Sequence, residues 1–350
     1  MPSLNSTPQN ICILRLSAIG DTCHVVPVLR TLQQAWPEAR FTWVIGALEA
    51  RLMGALPDVE FITVDKRASR AARRALAQKL EARSFDVLLH MQLALRASLI
   101  ARQIRARVKL GFDWQRAREL QWLFTNRRIP ARSREHVLDS FFGFANALGV
   151  NERRLRWDLP SPQAAAGRAA TVIAQGVRTL IISPCSSHPL RNWRAERYAA
   201  VADYASQVHG LRVLLCGAPS DAEREMGAAI LRHTRTPISN RIGEDDLPQL
   251  LALLSRATVL LSPDSGPVHM ATMVGTPVIG LYAATNPART GPYLSREWCV
   301  NAYPEAAERF RGRPAEQLPW PTKIEVPGVM DLIEVSQVTA RLDALLRSRS

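Results

Sequence analysis

Leu261-Ser262-Pro263-Asp264-Ser265-Gly266-Pro267-Val268-His269 is the stretch on which the reading of this chain turns. It follows a strand-like run, Ala257 to Leu261, and opens a short helix-like run that ends near Gly275. Ser265, Gly266 and Pro267 are helix-start residues: a hydroxyl cap, a residue that lets backbone approach a ligand, and a proline preset for the first turn. The free N–H groups of a helix start form an anion site, for phosphate above all. Asp264 and His269 flank that start and can add hydrogen bonds to a sugar or phosphate. The stretch therefore predicts a strand–loop–helix unit that holds a phosphorylated ligand.

The same alternation extends outward in both directions. Toward the N-terminus, residues 11–16, 41–45, 61–64 and 87–90 read as strands, and 24–36, 47–55 and 68–83 as helices. Pro27 lies early in the first helical run, which predicts a helix that starts or kinks there. In the second half, 179–183, 212–216, 259–262 and 277–282 read as strands, and 195–207, 222–233, 247–254 and 268–274 as helices, with a further helical tail over 330–347. Strand–helix–strand alternation predicts α/β architecture, parallel sheets with helices on both faces. Pro160 and Pro162 interrupt it, so the domains are placed at 1–165 and 166–350. No sequence repeat relates the halves. Ligands in such sheets bind at the carboxyl ends of the strands.

At 350 residues, with 47% hydrophobic and 22% charged residues, the chain has the composition of a globular protein with two substantial cores. No apolar run reaches the roughly 18 residues of a membrane span. Met1 to Asn10 is polar, without the basic and apolar regions of a secretory signal. The five cysteines are scattered with no Cys-x-x-Cys pair, which argues against a zinc site or disulfide framework. A cytoplasmic location is expected. The net charge of +14 is uneven: residues 1–165 hold 25 Lys+Arg against 14 Asp+Glu, and 166–350 hold 20 against 17. That excess fits a large anionic partner, nucleic acid or an anionic lipid surface. With aromatics at 6% and no zinc-finger or single-strand motif, a nucleic-acid-binding protein is the weaker alternative.

Three further loops carry candidate chemistry. Leu16-Ser17-Ala18-Ile19-Gly20-Asp21 follows the first strand, and Asp21 at the ensuing helix start is either an ordinary cap or a general base toward a substrate hydroxyl. The loop is not a dinucleotide fingerprint, and the Walker motif is also absent. Ser183 to Trp193 follows the first strand of the second domain, where Ser186, Ser187 and Arg191 suit a diphosphate. Cys216-Gly217-Ala218-Pro219 precedes Glu223, which can receive ribose hydroxyls or stand as a solvated helix residue. Basic clusters at Arg67, Arg70, Arg73 and Arg74, and at Arg127, Arg128, Arg132 and Arg134, are solvated faces or an anionic acceptor's contacts. The seven histidines lack metal-site spacing, and His269 reads as a donor to phosphate.

With these motifs in place, the chain resembles glycosyltransferase family 9, the bacterial lipopolysaccharide heptosyltransferases, over most of its length. The resemblance rests on Ser17 to Asp21, on Gly111-Phe112-Asp113-Trp114 with Ala117-Arg118-Glu119, on the Ser186/Ser187/Arg191 loop, on Gly217-Ala218-Pro219, and on Asp264 to His269 with Gly275-Thr276-Pro277. The Gly-Phe-Asp-Trp region is similar to the heptosyltransferase I branch. The resemblance implies a GT-B fold, two Rossmann-like doubly wound domains facing across a cleft. It implies an inverting transfer with no essential metal or cofactor, from ADP-heptose bound by the C-terminal domain to an anionic lipopolysaccharide inner core bound by the N-terminal one. Asp21 matches the family's proposed base. Ser186, Ser187, Arg191, Glu223, Asp264, Ser265, Gly266 and His269 match donor contacts. Serines stand at 186, 187 and 265 where that branch usually has threonines, and Arg191 where it commonly has lysine. Together with the lipid-linked acceptor that the resemblance implies, the basic first half predicts peripheral contact with the inner membrane; no nucleic-acid partner is expected, since the motifs for one are missing. A neighbouring expectation is a GT-B transferase or epimerase acting on another nucleotide sugar.

Overall fold

A computed structural model describes residues 7–65 and 69–349. The chain divides after Pro160 into two compact units, five residues before the expected boundary. The displacement has a local cause: 163–172 is a helix, and it packs against the helix at 247–256, deep in the second unit's sequence.

Unit 1 holds six parallel strands: β1 (Asn10–Leu14), β2 (Arg40–Gly46), β3 (Val59–Val64), β4 (Ser84–His90), β5 (Arg105–Gly111) and β6 (Arg127–Arg128), in the order β3-β2-β1-β4-β5-β6. Its helices are α1 (Ile19–Ala35), α2 (Ala47–Met53), α3 (Arg70–Glu81), α4 (Leu95–Gln103) and α5 (Val137–Ala147). The central strands β1 and β4 pair with Ile13 opposite Leu89 and are buried on both faces, which is why they read as unbroken apolar runs. β5 escaped the sequence reading because Arg105, Arg107 and Lys109 alternate with Ala106, Val108 and Leu110. One side of that strand is charged, so no apolar run marks it.

The first helix corrects one of the two expectations for Pro27, that a helix starts there. α1 begins at Ile19, eight residues upstream, and runs through the proline. Pro27 has no N–H for the Cys23 carbonyl one turn back. The Trp157 indole supplies the missing donor, with Nε1 at 2.9 Å from Cys23 O.

Unit 2 repeats the topology. Its strands β7 (Thr179–Ile182), β8 (Arg212–Leu215), β9 (Ile238–Asn240), β10 (Val259–Pro263), β11 (Val278–Tyr282) and β12 (Val300–Asn301) lie in the order β12-β11-β10-β7-β8-β9, again all parallel. Counted from the start of each unit, both sheets are therefore 3-2-1-4-5-6, the doubly wound dinucleotide-fold order. The helices are α6 (Gln163–Val172), α7 (Ala195–His209), α8 (Asp221–His233), α9 (Leu247–Arg256), α10 (Gly266–Met273), α11 (Pro287–Thr290), α12 (Tyr303–Arg311) and α13 (Val335–Arg347). α9 starts on a reciprocal cap: Asp246 Oδ1 accepts from Gln249 N, and Gln249 Oε1 accepts from Asp246 N, both at 2.9 Å. The C-terminal helix begins at Val335, after a short 3₁₀ turn, rather than at Met330. It seals the core with Val338, Leu342, Leu345 and Leu346. Asp343 ties it to α7 by accepting from Tyr204 at 2.9 Å and pairing with His209 at 2.7 Å.

All five cysteines are free and buried. Among the described residues no helix is long and apolar enough to cross a membrane.

Candidate active site

The predicted residues gather where each sheet reverses its order. In unit 2 that point lies between β7 and β10, which pair with Ile181 opposite Leu260. The loops leaving their carboxyl ends are Ser183–Trp193 and Asp264–Ser265. Ser262, at the end of β10, joins them by donating to Ser183 O at 2.9 Å. Because that single proton is used, the 2.8 Å contact between Ser262 and Ser265 has Ser265 as donor. Ser265 therefore occupies the position before α10 without capping it by its side chain, contrary to expectation. It can donate to a phosphate only by turning away from Ser262. Pro267 carries no N–H, so the backbone donors at the helix start lie on either side of it, beginning with Gly266.

Arg191 is held over this helix start by two carboxylates. Its Nε and Nη2 donate to Glu325 Oε1 at 2.8 and 2.6 Å, and Nη1 lies 3.6 Å from Asp264 Oδ2. Thr290 Oγ1 donates to the same Asp264 oxygen at 3.3 Å. Partial burial works to raise the Glu325 carboxyl, but the Arg191 guanidinium and the nearby Lys323 and His188 more than offset it and hold its pKa below the ordinary value. Ser186 is half-buried, with its N–H bonded to Asn192 Oδ1 at 2.7 Å, and Ser187 is exposed. His269 is buried in the first turns of α10.

Glu223 sits at the carboxyl end of β8. Its Oε2 accepts from Ala218 N at 2.8 Å, directly over Gly217, where a Cβ would run into the same oxygen. Glycine at 217 is thus a matter of space for the carboxylate. Burial raises the Glu223 pKa, and the Ala218 N–H only partly opposes it.

In unit 1 the order reverses between β1 and β4. Asp21 is the third residue of α1, as its spacing predicted, and its Oδ2 lies 3.5 Å from the Ala18 N–H. Oδ2 also accepts from Arg15, whose Nη1 donates to Met91 O at 2.5 Å. Both bonds to Asp21 fall on Oδ2; among the described residues none falls on Oδ1. Gln92, just past β4, braces the loop: its Oε1 accepts from Leu16 N at 2.6 Å and Ser17 N at 3.3 Å. Gln121 braces the next layer, donating to His90 O at 2.9 Å and Gln92 O at 3.1 Å while accepting from Phe112 N at 3.1 Å.

Asp113 of the Gly-Phe-Asp-Trp motif is buried and committed to structure. It takes the Gln115 N–H at 3.0 Å and the Arg116 guanidinium, which also donates to Ser140 Oγ at 2.6 Å and Pro130 O at 2.8 Å. Of the first basic cluster, Arg70 and Arg74 are exposed on α3, while Arg67 and the Arg73 side chain lie outside the described residues. In the second cluster, Arg127 and Arg128 form β6.

Sequence reasoning missed Arg15, Gln92, Ser262, Thr290 and Glu325. Arg15 carried a usable signal, a cation closing an apolar strand beside the Asp21 loop. Glu325 carried none: it meets Arg191 from 134 residues away.

Among protein families, residues 73–318 match glycosyltransferase family 9 (heptosyltransferase). The chain belongs to this family. This family 9 glycosyltransferase is 40% identical to the lipopolysaccharide core heptosyltransferase OpsX of Haemophilus influenzae, over 99% of each chain. It is 27% identical to lipopolysaccharide heptosyltransferase 1 of Escherichia coli, over 84% of this chain and 94% of that one. Among solved structures, the family 9 glycosyltransferase of Veillonella parvula superposes with a TM-score of 0.80 at 22% identity, over 98% of this chain and 100% of that one. The E. coli heptosyltransferase WaaC with ADP superposes at 0.73 and 21% identity, over 96% and 100%. The fold of this glycosyltransferase is GT-B, built from two Rossmann-like units.

Proposed function

We propose that this glycosyltransferase transfers heptose from ADP-heptose to the inner core of lipopolysaccharide, with inversion at the anomeric carbon. The observation that carries the reading is Arg191, fixed by Glu325 and Asp264 beside the N-terminus of α10 at the switch point of unit 2. A guanidinium close to the free backbone N–H groups of a helix start is what a diphosphate leaving group needs. The 40% identity to a core heptosyltransferase supports heptose as the sugar.

In this reading unit 2 binds the donor. Arg191, the Gly266 backbone, Ser186, Ser187 and Ser265 take the diphosphate, Glu223 takes ribose hydroxyls, and Asp264 and His269 complete the pocket. Unit 1 binds the acceptor. Asp21 Oδ1 removes the proton from the acceptor hydroxyl as that oxygen attacks the anomeric carbon. The bond from that carbon to the β-phosphate oxygen breaks, and ADP carries the negative charge away. Arg15 and the Ala18 N–H hold Oδ2, so Oδ1 is left as the oxygen that takes the proton. The transfer proceeds on these groups without an essential metal. The protein works at the cytoplasmic face of the inner membrane, with its basic unit toward an anionic lipid-borne acceptor.

ADP release from ADP-heptose, measured with and without a heptose-deficient core acceptor and with and without a chelator, tests the reading. Acceptor-dependent release that survives chelation is expected. No release from the folded protein, with release from another nucleotide sugar, overturns the donor assignment.

A further inference from the structure

Eleven large hydrophobic side chains are exposed among the described residues, and six of them fall between 95 and 123: Leu95, Leu99, Trp114, Leu120, Trp122 and Leu123. The fold brings them to one face of unit 1. Leu95 and Leu99 lie one turn apart on α4. The short turn Gln121–Phe124 packs on α4, and the Leu95 N–H is bonded to Glu119 Oε2 at 2.6 Å. The Trp114 and Trp122 rings meet with centroids 5.7 Å apart, and the Arg128 guanidinium lies 3.9 Å over Trp114. Trp114 and Leu123 are 63% and 58% exposed, so the face is uncovered rather than grazed by solvent.

Charge is concentrated in the same segment. From Leu95 to Arg128 there are nine Lys+Arg and two Asp+Glu, a balance of +7 that is half the net charge of the chain. Both acids are engaged locally, Asp113 with Arg116 and Glu119 with the Leu95 N–H. Beside the apolar residues, a groove of about 450 Å³ is lined by Arg102 and Lys109 on one hand and by Leu123 and Phe124 on the other. Lys109 is half-buried there, with Nζ 2.8 Å from Ala101 O.

We propose that this face docks the protein on an anionic phospholipid bilayer, with Trp122, Leu120 and Leu123 entering the headgroup–acyl boundary and the groove between Arg102 and Lys109 taking a lipid phosphate. Tryptophan beside leucine, ringed by arginine, is the chemistry of the lipid–water boundary, where the ring is half wetted and the cations stay with the headgroups. A second copy of the chain would set one positive face against another. Nucleic acid would satisfy the cations and leave the leucines in water. A bilayer satisfies both. The inference rests on the reading that the acceptor is lipid-borne, and it replaces attraction by charge alone with insertion of named side chains.

The test uses the full chain and two kinds of vesicle, phosphatidylglycerol mixed with phosphatidylethanolamine, and phosphatidylcholine alone. The triple variant Leu99→Gln, Trp122→Gln, Leu123→Gln changes exposed residues outside the candidate active site. The wild type is expected to float with the anionic vesicles, with its tryptophan fluorescence quenched by brominated acyl chains. The variant, with an unchanged melting temperature, is expected to bind about tenfold more weakly or worse. It should release ADP at the wild-type rate on a deacylated, soluble acceptor. Absence of wild-type flotation overturns the proposal. So does flotation that salt abolishes and the variant leaves unchanged, and so does concentration-dependent self-association that the variant removes. Failure of transfer with vesicle binding intact would instead count against the proposed function alone.

Discussion

Arg15 and Asp21 face each other across the first loop of unit 1, the guanidinium closing on Oδ2 while its other arm is anchored at 2.5 Å on Met91 O. The pairing fixes the carboxylate from one side only. Asp21→Asn keeps the size and removes the base, so turnover should fall about 10²–10⁴-fold. Donor affinity should stay within a factor of about two if, as proposed, the carboxylate meets the acceptor rather than the diphosphate. Steady-state ADP release with calorimetric donor binding checks both; activity surviving in the variant would remove Asp21 from the base role.

Arg191 makes a forked contact with Glu325 and a third approach to Asp264. Lysine would keep the charge and lose the fork. Arg191→Lys should weaken ADP binding by about ten- to a hundredfold while leaving the fold intact. Equal ADP affinity in wild type and variant, by calorimetry, would show that the point charge suffices.

Gly217→Ala puts a Cβ against Glu223 Oε2. The carboxylate must move off the Ala218 N–H or the strand end must shift, which should cost about 1–3 kcal/mol in urea unfolding. If Glu223 receives ribose hydroxyls, the same change weakens ADP-heptose binding. Unchanged stability and binding together would argue that the loop gives way freely.

Asp203 supplies a pH-dependent contribution. Burial pushes its carboxyl up, but the Thr236 and Thr234 hydroxyls and the N–H groups of Arg235 and Thr236 prevail and hold the pKa below 3.8. A carboxyl depressed in the folded state stabilises it above the unfolded pKa, and the contribution is lost as pH falls through the folded value. Asp203→Asn should therefore melt below the wild type at neutral pH, with the gap closing once the pH drops under about 3.8. A gap constant with pH would mean that geometry, not charge, is what the carboxylate provides.

The Cys23 carbonyl, orphaned by Pro27, depends on the Trp157 indole. Trp157→Phe keeps most of the apolar body and removes the donor, at a cost of about 1–3 kcal/mol. Pro27→Ala in that background restores an N–H to the carbonyl and should recover part of the loss. A double-mutant cycle by urea denaturation reads the coupling directly. Additive losses would place the effect in packing instead.

The alternation that predicted two parallel sheets was legible because central strands buried on both faces carry unbroken apolar runs, as in β1, β4, β7 and β10. Two strands on one side of the first sheet carry no such signal: β5, between β4 and β6, is half charged, and the edge strand β6 is two arginines that borrow their pairing from Leu110 and Gly111. The loops of the site were legible for the same reason as the strands, since each directly follows a buried one, β1, β7, β8 or β10. What stayed hidden was the bracing between distant segments. Gln92 reaches back 76 residues to Leu16, and Glu325 reaches 134 to Arg191. Local spacing encodes an element and its start; a partner that tertiary packing delivers leaves no mark near the residue it serves. Ser265 shows the opposite failure, a cap residue in the cap position whose hydroxyl is drawn away by Ser262.

The buried cysteines have a practical consequence. A thiol attacks maleimides and iodoacetamides as its thiolate, and burial pushes all five thiols up, with Cys185, Cys216 and Cys299 raised to about 12 and Cys12 and Cys23 higher still. The native chain is therefore expected to react slowly with alkylating dyes. A cysteine introduced at exposed Leu48 or Leu294, one in each unit, would be the preferred site of attachment. A pair of them would carry donor and acceptor fluorophores without first stripping the protein of its own sulfur.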